Sequence, residues 1–393
     1  MKRRKELLLL IFLFALESFF LFDSLGVKYV NDSHRYLAYA EALESGFYTE
    51  AHNIWYLGYV GFIYGVRLFS ESFFVLVVAQ YVYSAAGLVF LYLTIERLHP
   101  KGYAALIGGF LYLILIEICT WNAYILCESV YFNNLVMAFY LLVRCNSGVF
   151  TNDLKRLGLI LPTSMAILLA ALTKPTGVAL VLTLGVCFGV KFWKSIKTPI
   201  IVKYISLTFI STLFLFLTNR MLTTFSLVEN YQTGEVVYDI TNPENHQTLN
   251  AHPYLVNSIP EDIEVLPDSY PPLIRTGHFI IMNFWFWAGL FTEKVMYFVL
   301  HIRPYWSLKH IAFNLFTILP IYFFTFRYLR QTSFPVRLFV LTYFLTHILI
   351  VGMTTVDWDG RFFVPLLPVL IVCAAQGTEI IRERVKLSFI SKK

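Results

Sequence analysis

Charge is what this sequence has least of. Asp, Glu, Lys and Arg make up 14% of its 393 residues, where a soluble globular domain carries about a quarter. Set against 58% hydrophobic and 18% aromatic residues, that shortage excludes a soluble chain. A bilayer core about 30 Å thick takes about 20 mostly apolar residues per helix, so the length allows many spans and one modest region outside the membrane. Cysteine is scarce as well. Cys119, Cys127, Cys145, Cys187 and Cys373 form no CxxC pair and lie in or beside apolar stretches, which reads as small buried residues rather than a disulfide framework or a metal site. No P-loop, HExxH, GxSxG or GxGxxG occurs in a fitting context, which removes those chemistries. No internal repeat supports the inverted halves of many secondary transporters. The net charge of +6 sits in short clusters between apolar runs instead of along one face, which excludes a nucleic-acid surface.

What is present is a series of apolar runs, at about 7–27, 72–95, 103–120, 125–143, 157–173, 176–193, 200–219, 310–326, 338–354 and 362–380. They predict an all-α polytopic membrane protein of about ten transmembrane helices, a single transmembrane domain over 1–393. Lys2 to Lys5 precede the first run with no small-residue cleavage site after it, so it reads as a retained helix. Lys and Arg collect in cytoplasmic loops. With both termini cytoplasmic, the inner segments hold Arg97 and Lys101; Arg144, Lys155 and Arg156; Lys191, Lys194, Lys197 and Lys203; Arg327, Arg330 and Arg337; and Arg382, Arg384, Lys386, Lys392 and Lys393. A further apolar stretch at 278–301 contains Glu293 and Lys294 and many aromatics, among them Trp285 and Trp287. As a span it would invert the later loops, so it is expected along the outer membrane surface, where amphipathic rings are favoured.

Two outer segments remain for soluble chemistry, a first loop at 28–71 and a large loop at 220–309. The second carries Glu229, Glu235, Asp239, Glu244, Glu261, Asp262, Glu264 and Asp268 with many prolines, and predicts loop and short helix with little sheet. The first reads Asn31-Asp32-Ser33-His34-Arg35-Tyr36 and runs on to Gly46-Phe47-Tyr48. Asp32 or Ser33 can cap a helix whose Tyr36, Tyr39, Ala40 and Leu43 form one apolar stripe, a juxtamembrane helix on the membrane surface. Asp32 is then either an N-cap with Arg35 as its solvated neighbour, or a carboxylate held beside a guanidinium at the water–lipid boundary.

Three further features punctuate the apolar runs. Glu128 lies in a short outer turn near the mouth of a helix, where a carboxylate is either functional or leans to the interface. Lys174, in Thr173-Lys174-Pro175-Thr176-Gly177, is the cation of another outer turn and can simply snorkel to the surface. Arg361, in Asp357-Trp358-Asp359-Gly360-Arg361-Phe362-Phe363, stands outside against the charge bias, so a fixed anionic partner is expected, either a ligand or the nearby Asp357 or Asp359.

In this order, first-loop Asp-x-x-Arg-Tyr, an acidic residue at the next outer turn, a Thr-Lys-Pro-x-Gly break, a large outer loop and a final Arg-aromatic-x-x-Pro-x-x-Pro, the chain resembles the GT-C glycosyltransferase superfamily. It is most similar to the bacterial branch that includes protein O-mannosyltransferases and the lipid A aminoarabinose transferase. The resemblance implies a GT-C-like fold and a polyprenyl-phosphate sugar donor. It implies Asp32 as the catalytic residue with Glu128 assisting, and Arg35, Tyr36, Lys174 and Arg361 toward the donor phosphate. The Lys-Pro-Pro segment common in the aminoarabinose branch is replaced by Ile54-Trp55-Tyr56-Leu57-Gly58-Tyr59, which leaves the sugar open, and the acceptor open among glycan, lipid and protein.

The chemistry agrees with the residue types. A polyprenyl-phosphate sugar needs a groove for its lipid, cations at headgroup depth and a carboxylate base, here Asp32 with Arg35 and Arg361 on the departing phosphate, giving inversion in one displacement. The expected location is the plasma (inner) membrane, among membrane lipids and without nucleic acid. A divalent cation is the one cofactor left open, for Asp32 and Glu128 to ligate if the fold brings them together. An O-antigen polymerase or ligase would use arginines of the large loop, which holds Arg220, Arg275 and Arg303. A lipid or solute transporter would use mid-membrane ionisable groups such as Glu17, Glu117 or His347.

Overall fold

The computed structural model describes residues 2–46, 52–100, 102–146, 153–194 and 199–390. Lys101, Lys197, Lys392 and Lys393 of the basic clusters, and Phe47 and Tyr48 of the first loop, lie outside them, as do the side chains of Lys155 and Arg156. Among the described residues the chain is helical, with isolated bridges and no β-strand.

Among the described residues seven helices are long and apolar enough to cross a membrane: Arg3–Leu25, Phe73–Leu98, Pro175–Lys194, Ile200–Leu222, Leu308–Leu329, Phe334–Met353 and Val364–Lys386. This fits a multi-pass membrane protein. The run expected at 103–120 is instead a bent pair, Ala104–Ile114 and Glu117–Ala123, with 61° between its arms. The run at 157–173 gives the shorter apolar helix Gly158–Ala171. The helix Cys127–Asn146 is long enough but carries Glu128, Asn133, Asn134 and Arg144. Its polar side chains are turned inward, because Glu128, Ser129, Asn133 and Asn134 are all buried.

The chain divides into two compact units. The first comprises Met1–Val181, Phe316–Val340 and Val364–Lys393. In chain order its leading helices are α1 (Lys2–Leu25), α2 (Asn31–Ser45), α3 (Leu57–Arg67), α4 (Phe73–Leu98), α5 (Ala104–Ile114), α6 (Glu117–Thr120), α7 (Cys127–Asn146) and α8 (Asp153–Ala171). Helix α4 packs against α1, α5 and α7, and α7 against α8. Helices α1 and α4 run antiparallel. Arg3 pairs with Glu96 and bonds the Pro100 carbonyl at one end, while Phe22 meets Phe74 and Tyr81 toward the other. The basic end also gathers His99 and Tyr103 against Glu383 and Glu379, with Arg382 on Glu379.

The second unit comprises Leu182–Leu315 and Leu341–Phe363. It holds α9 (Ile200–Leu222), α10 (Leu227–Gln232), α11 (His246–Ala251), α12 (Pro272–Met282) and α13 (Phe284–Leu300). Two small apolar cores organise it. Leu227, Val228, Tyr231, Val236, Phe279 and Leu290 form one, and Val237, Ile240 and Leu255 the other. The large loop has the expected character of short helices and turns, with bridges Glu235–Val256 and Val237–Val356 as its only pairing among the described residues. The apolar stretch at 278–301 is not one helix. It breaks at Asn283, whose amide group exchanges hydrogen bonds with the Glu264 backbone at 2.9 and 2.8 Å.

Candidate functional site

The site is built at the end of the first unit opposite Arg3 and Glu96. After α1 the chain pairs with the turn before α7: Lys28 donates its N–H to Ala123 O at 2.9 Å and accepts from Ile125 N–H at 3.0 Å. Ser33 then fastens the start of α2, accepting from Val30 N–H at 3.0 Å and donating to Ile125 O at 2.9 Å. These bonds draw the Asp32 helix onto the Glu128 helix. They also correct the expected cap. The residue before the helix is Val30 and α2 begins at Asn31, so Asp32 lies inside the first turn and is not spent as an N-cap. A carboxylate there meets the positive end of the helix dipole.

Asp32 Oδ1 lies 3.4 Å from Arg35 Nη2, and each side chain is 34% exposed. Arg35 lies against two rings, 4.7 Å from the centroid of Tyr56 and 5.1 Å from that of Tyr36. Its Nη2 reaches Tyr36 Oη at 3.4 Å, and its buried Nε has no hydrogen-bond partner among the described residues. Burial works against the Arg35 charge, but Tyr36, Tyr56 and Asp32 outweigh it and hold the guanidinium above its ordinary pKa. Both neighbours are held protonated. Burial first, then Cys127, Tyr56, Glu128 and Asp32, push Tyr36 well above the usual tyrosine value, and burial raises Tyr56 too. The stripe Tyr36, Tyr39 and Ala40 is buried within the protein, Tyr36 packing on Tyr59 with centroids 5.1 Å apart. That contact occupies a face expected to meet lipid.

Deeper in, Lys174 Nζ donates to Glu128 Oε1 at 2.8 Å, and both side chains are buried. The Thr-Lys-Pro-Thr-Gly break makes this geometry. Lys174 is extended before Pro175, as a residue preceding proline prefers, and Pro175–Gly177 closes a 3-10 turn by Gly177 N–H to Lys174 O at 2.8 Å. Gly58 of α3 comes so close that a Cβ there would stand 2.3 Å from Thr173 Oγ1, and one at Gly177 would stand 2.5 Å from Ala170 O. A buried amide network backs the pair. Gln80 donates to Asn122 O and Tyr124 O, both at 2.8 Å, and accepts from Tyr59 at 3.0 Å. Asn134 donates to Thr173 at 2.8 Å and accepts from Tyr83 at 2.6 Å. The Gln80 and Asn134 amides thus find partners for both their donating and accepting atoms, which offsets their desolvation.

The first unit therefore brings together Asp32, Arg35, Tyr36, Glu128 and Lys174. Arg361 belongs to the second unit. Its Nε lies 3.8 Å from Asp359 Oδ1, whereas Asp357 is taken by another residue. Arg303 donates to Asp357 O at 2.6 Å and Asp357 Oδ1 at 3.0 Å, with both side chains buried. Asp359 is thus one of the two partners open to Arg361 on sequence, and Arg361 approaches it. Sequence reasoning passed over Tyr56, Tyr59, Gln80 and Cys127. The first two lay in plain view in the Ile54–Tyr59 stretch, noted only as a departure from the family pattern.

A divalent ion does not fit between Asp32 and Glu128, because the Lys174 ammonium already sits on Glu128 at bonding distance. One group of ligating side chains among the described residues does meet within 4.8 Å, His99, Glu379 and Glu383, but Arg382 already neutralises Glu379. Comparison with protein-family models, with curated proteins and with solved structures found no match for this chain.

Proposed function

We propose that the protein is a GT-C-type, inverting membrane glycosyltransferase that moves a sugar from a polyprenyl-phosphate donor to an acceptor on the non-cytoplasmic face of the plasma (inner) membrane. The observation that carries this reading is the half-open Asp32–Arg35 pair, with an unspent guanidinium donor, at the end of the first unit away from its basic end. Basic ends face the cytoplasm, so the pair falls on the outer side. Counting α7, α8 and the bent pair with the seven apolar helices gives about ten spans, with the 278–301 segment along the outer surface.

In the proposed reaction Asp32 takes the proton of the acceptor hydroxyl. The acceptor oxygen bonds to the anomeric carbon as the bond from that carbon to the phosphate oxygen breaks. The bonding pair leaves on the polyprenyl phosphate, and Arg35 stabilises its growing charge. Tyr36 and Tyr56 hold the guanidinium plane, and the Glu128–Lys174 pair fixes the floor beneath them. No step passes through a metal ion. The test is to supply the purified protein in lipid nanodiscs with polyprenyl-phosphate-linked hexose, pentose and aminosugar donors and an extract of envelope acceptors. Donor-dependent release of polyprenyl phosphate supports the reading, and its absence with every donor contradicts it.

A further inference from the structure

A run of aromatic rings in the second unit is not used by the chemistry above. Tyr254 and His252 have centroids 5.8 Å apart, His252 and Tyr305 6.4 Å, and Tyr305 and Trp358 5.0 Å. Their polar atoms are bonded within the unit. His252 Nδ1 and Tyr254 Oη are 3.0 Å apart, Tyr305 donates to Trp358 O at 3.0 Å, and Trp358 Nε1 donates to Tyr238 O at 2.7 Å. What remains on offer is ring surface. Tyr238 and Tyr254 are each 54% exposed, and His252, Tyr305 and Trp358 are half-buried. The run is rigid, since the Arg303–Asp357 pair anchors the residue before Trp358, and Tyr305 and Trp358 pack on the Val237, Ile240 and Leu255 core.

We infer that Tyr254, His252, Tyr305 and Trp358 form a saccharide-binding shelf that takes the acceptor glycan by stacking its sugar rings on these aromatic faces. The acceptor role rests on the glycosyltransferase reading, whereas the binding does not. Rigid tyrosine and tryptophan faces give large contact area at little entropic cost, and the C–H face of a pyranose is the apolar surface that matches them. Local charge selects among occupants. Residues 220–275 contain eight acidic side chains against two arginines, Arg275 pairing with Glu229 and Asp268, and exposed Asp239 follows Tyr238 in the chain. Carboxylates repel an anionic lipid surface, which attracts Lys and Arg, while they accept hydrogen bonds from sugar hydroxyls.

Binding of the full-length protein in neutral-lipid nanodiscs to an array of immobilised oligosaccharides, with a polylysine peptide and anionic phosphatidylserine vesicles alongside, tests the inference without donor or turnover. The expected result is retention on oligosaccharide, weakened about three- to tenfold by Trp358→Ala and by Tyr254→Ala. Tyr254 is exposed, so its truncation reads the contact even if Trp358→Ala fails to fold. Retention on no oligosaccharide, equal retention by the Tyr254→Ala protein, or capture of polylysine or vesicles in place of sugar would overturn it. A failed transfer assay with intact sugar binding would strike the catalytic reading alone.

Discussion

Lys174 Nζ lies 2.8 Å from Glu128 Oε1, with both side chains buried, so two residues singled out separately in the sequence are one ion pair. A buried pair of this kind need not add net stability, but removing one member leaves a bare charge, at a cost of about 3–5 kcal/mol. Glu128→Gln and Lys174→Met should each lower the thermal unfolding midpoint in detergent. The double variant should recover most of the loss. Additive losses would mean that the two residues do not act as a pair.

Arg35 is held between the rings of Tyr56 and Tyr36. Contacts of this type contribute about 0.5–2 kcal/mol. Tyr56→Phe should keep donor KM near that of the parent, and Tyr56→Ala should raise it several-fold with a smaller effect on kcat. Arg35→Lys keeps the charge but loses the planar fork and should impair donor use more than either.

Burial lowers Lys294 to about 8, with Glu235 working the other way. Its Nζ donates to Thr354 O at 2.8 Å and sits 5.6 Å from the Tyr231 ring centroid. Between that value and the ordinary 10.5 the folded protein binds fewer protons at this site than the unfolded chain, so its contribution to stability rises with pH across the window. Below it both states carry the proton and the cost of burying the charge is constant. The unfolding midpoint measured from about pH 7.5 to about pH 10 should rise more in the parent than in Lys294→Met. Parallel profiles would show that Lys294 does not titrate in this window.

The proposed topology puts the large loop outside and the segment after Arg330 inside. A periplasmic reporter fused after Ile240 should be active and one fused after Thr332 inactive. Activity at both sites would make the 278–301 segment a true span.

Much of the fold was legible because long apolar runs between charged clusters have one economical solution in a bilayer. Of the runs that did not give long apolar helices, 125–143 carries Glu128, Asn133 and Asn134 within α7, and 103–120 bends between Ala104–Ile114 and Glu117–Ala123. Glu128 reads in sequence as a turn residue, either functional or leaning to the interface, whereas it is buried against Lys174, and periodicity does not reveal which face of a bundle helix meets protein. The same holds for Tyr36 and Tyr39, whose apolar stripe is answered by Tyr59 of α3. The candidate site was legible as residue types, Asp32 with Arg35 in one segment and Glu128 and Lys174 each in a segment of its own. The Glu128–Lys174 contact joins residues far apart in the chain through a turn that only tertiary packing fixes, and Arg303 gave no local sign that it would bond Asp357.

The central claim is that Asp32 takes the acceptor proton. Asp32→Asn keeps shape and removes the proton acceptor, and because Asp32 does not cap α2 the fold should barely respond. Transfer from a polyprenyl-phosphate sugar, measured on matched amounts of folded parent and variant, should fall by about 10² or more. An Asp32→Asn protein that transfers sugar at the parental rate would contradict the account.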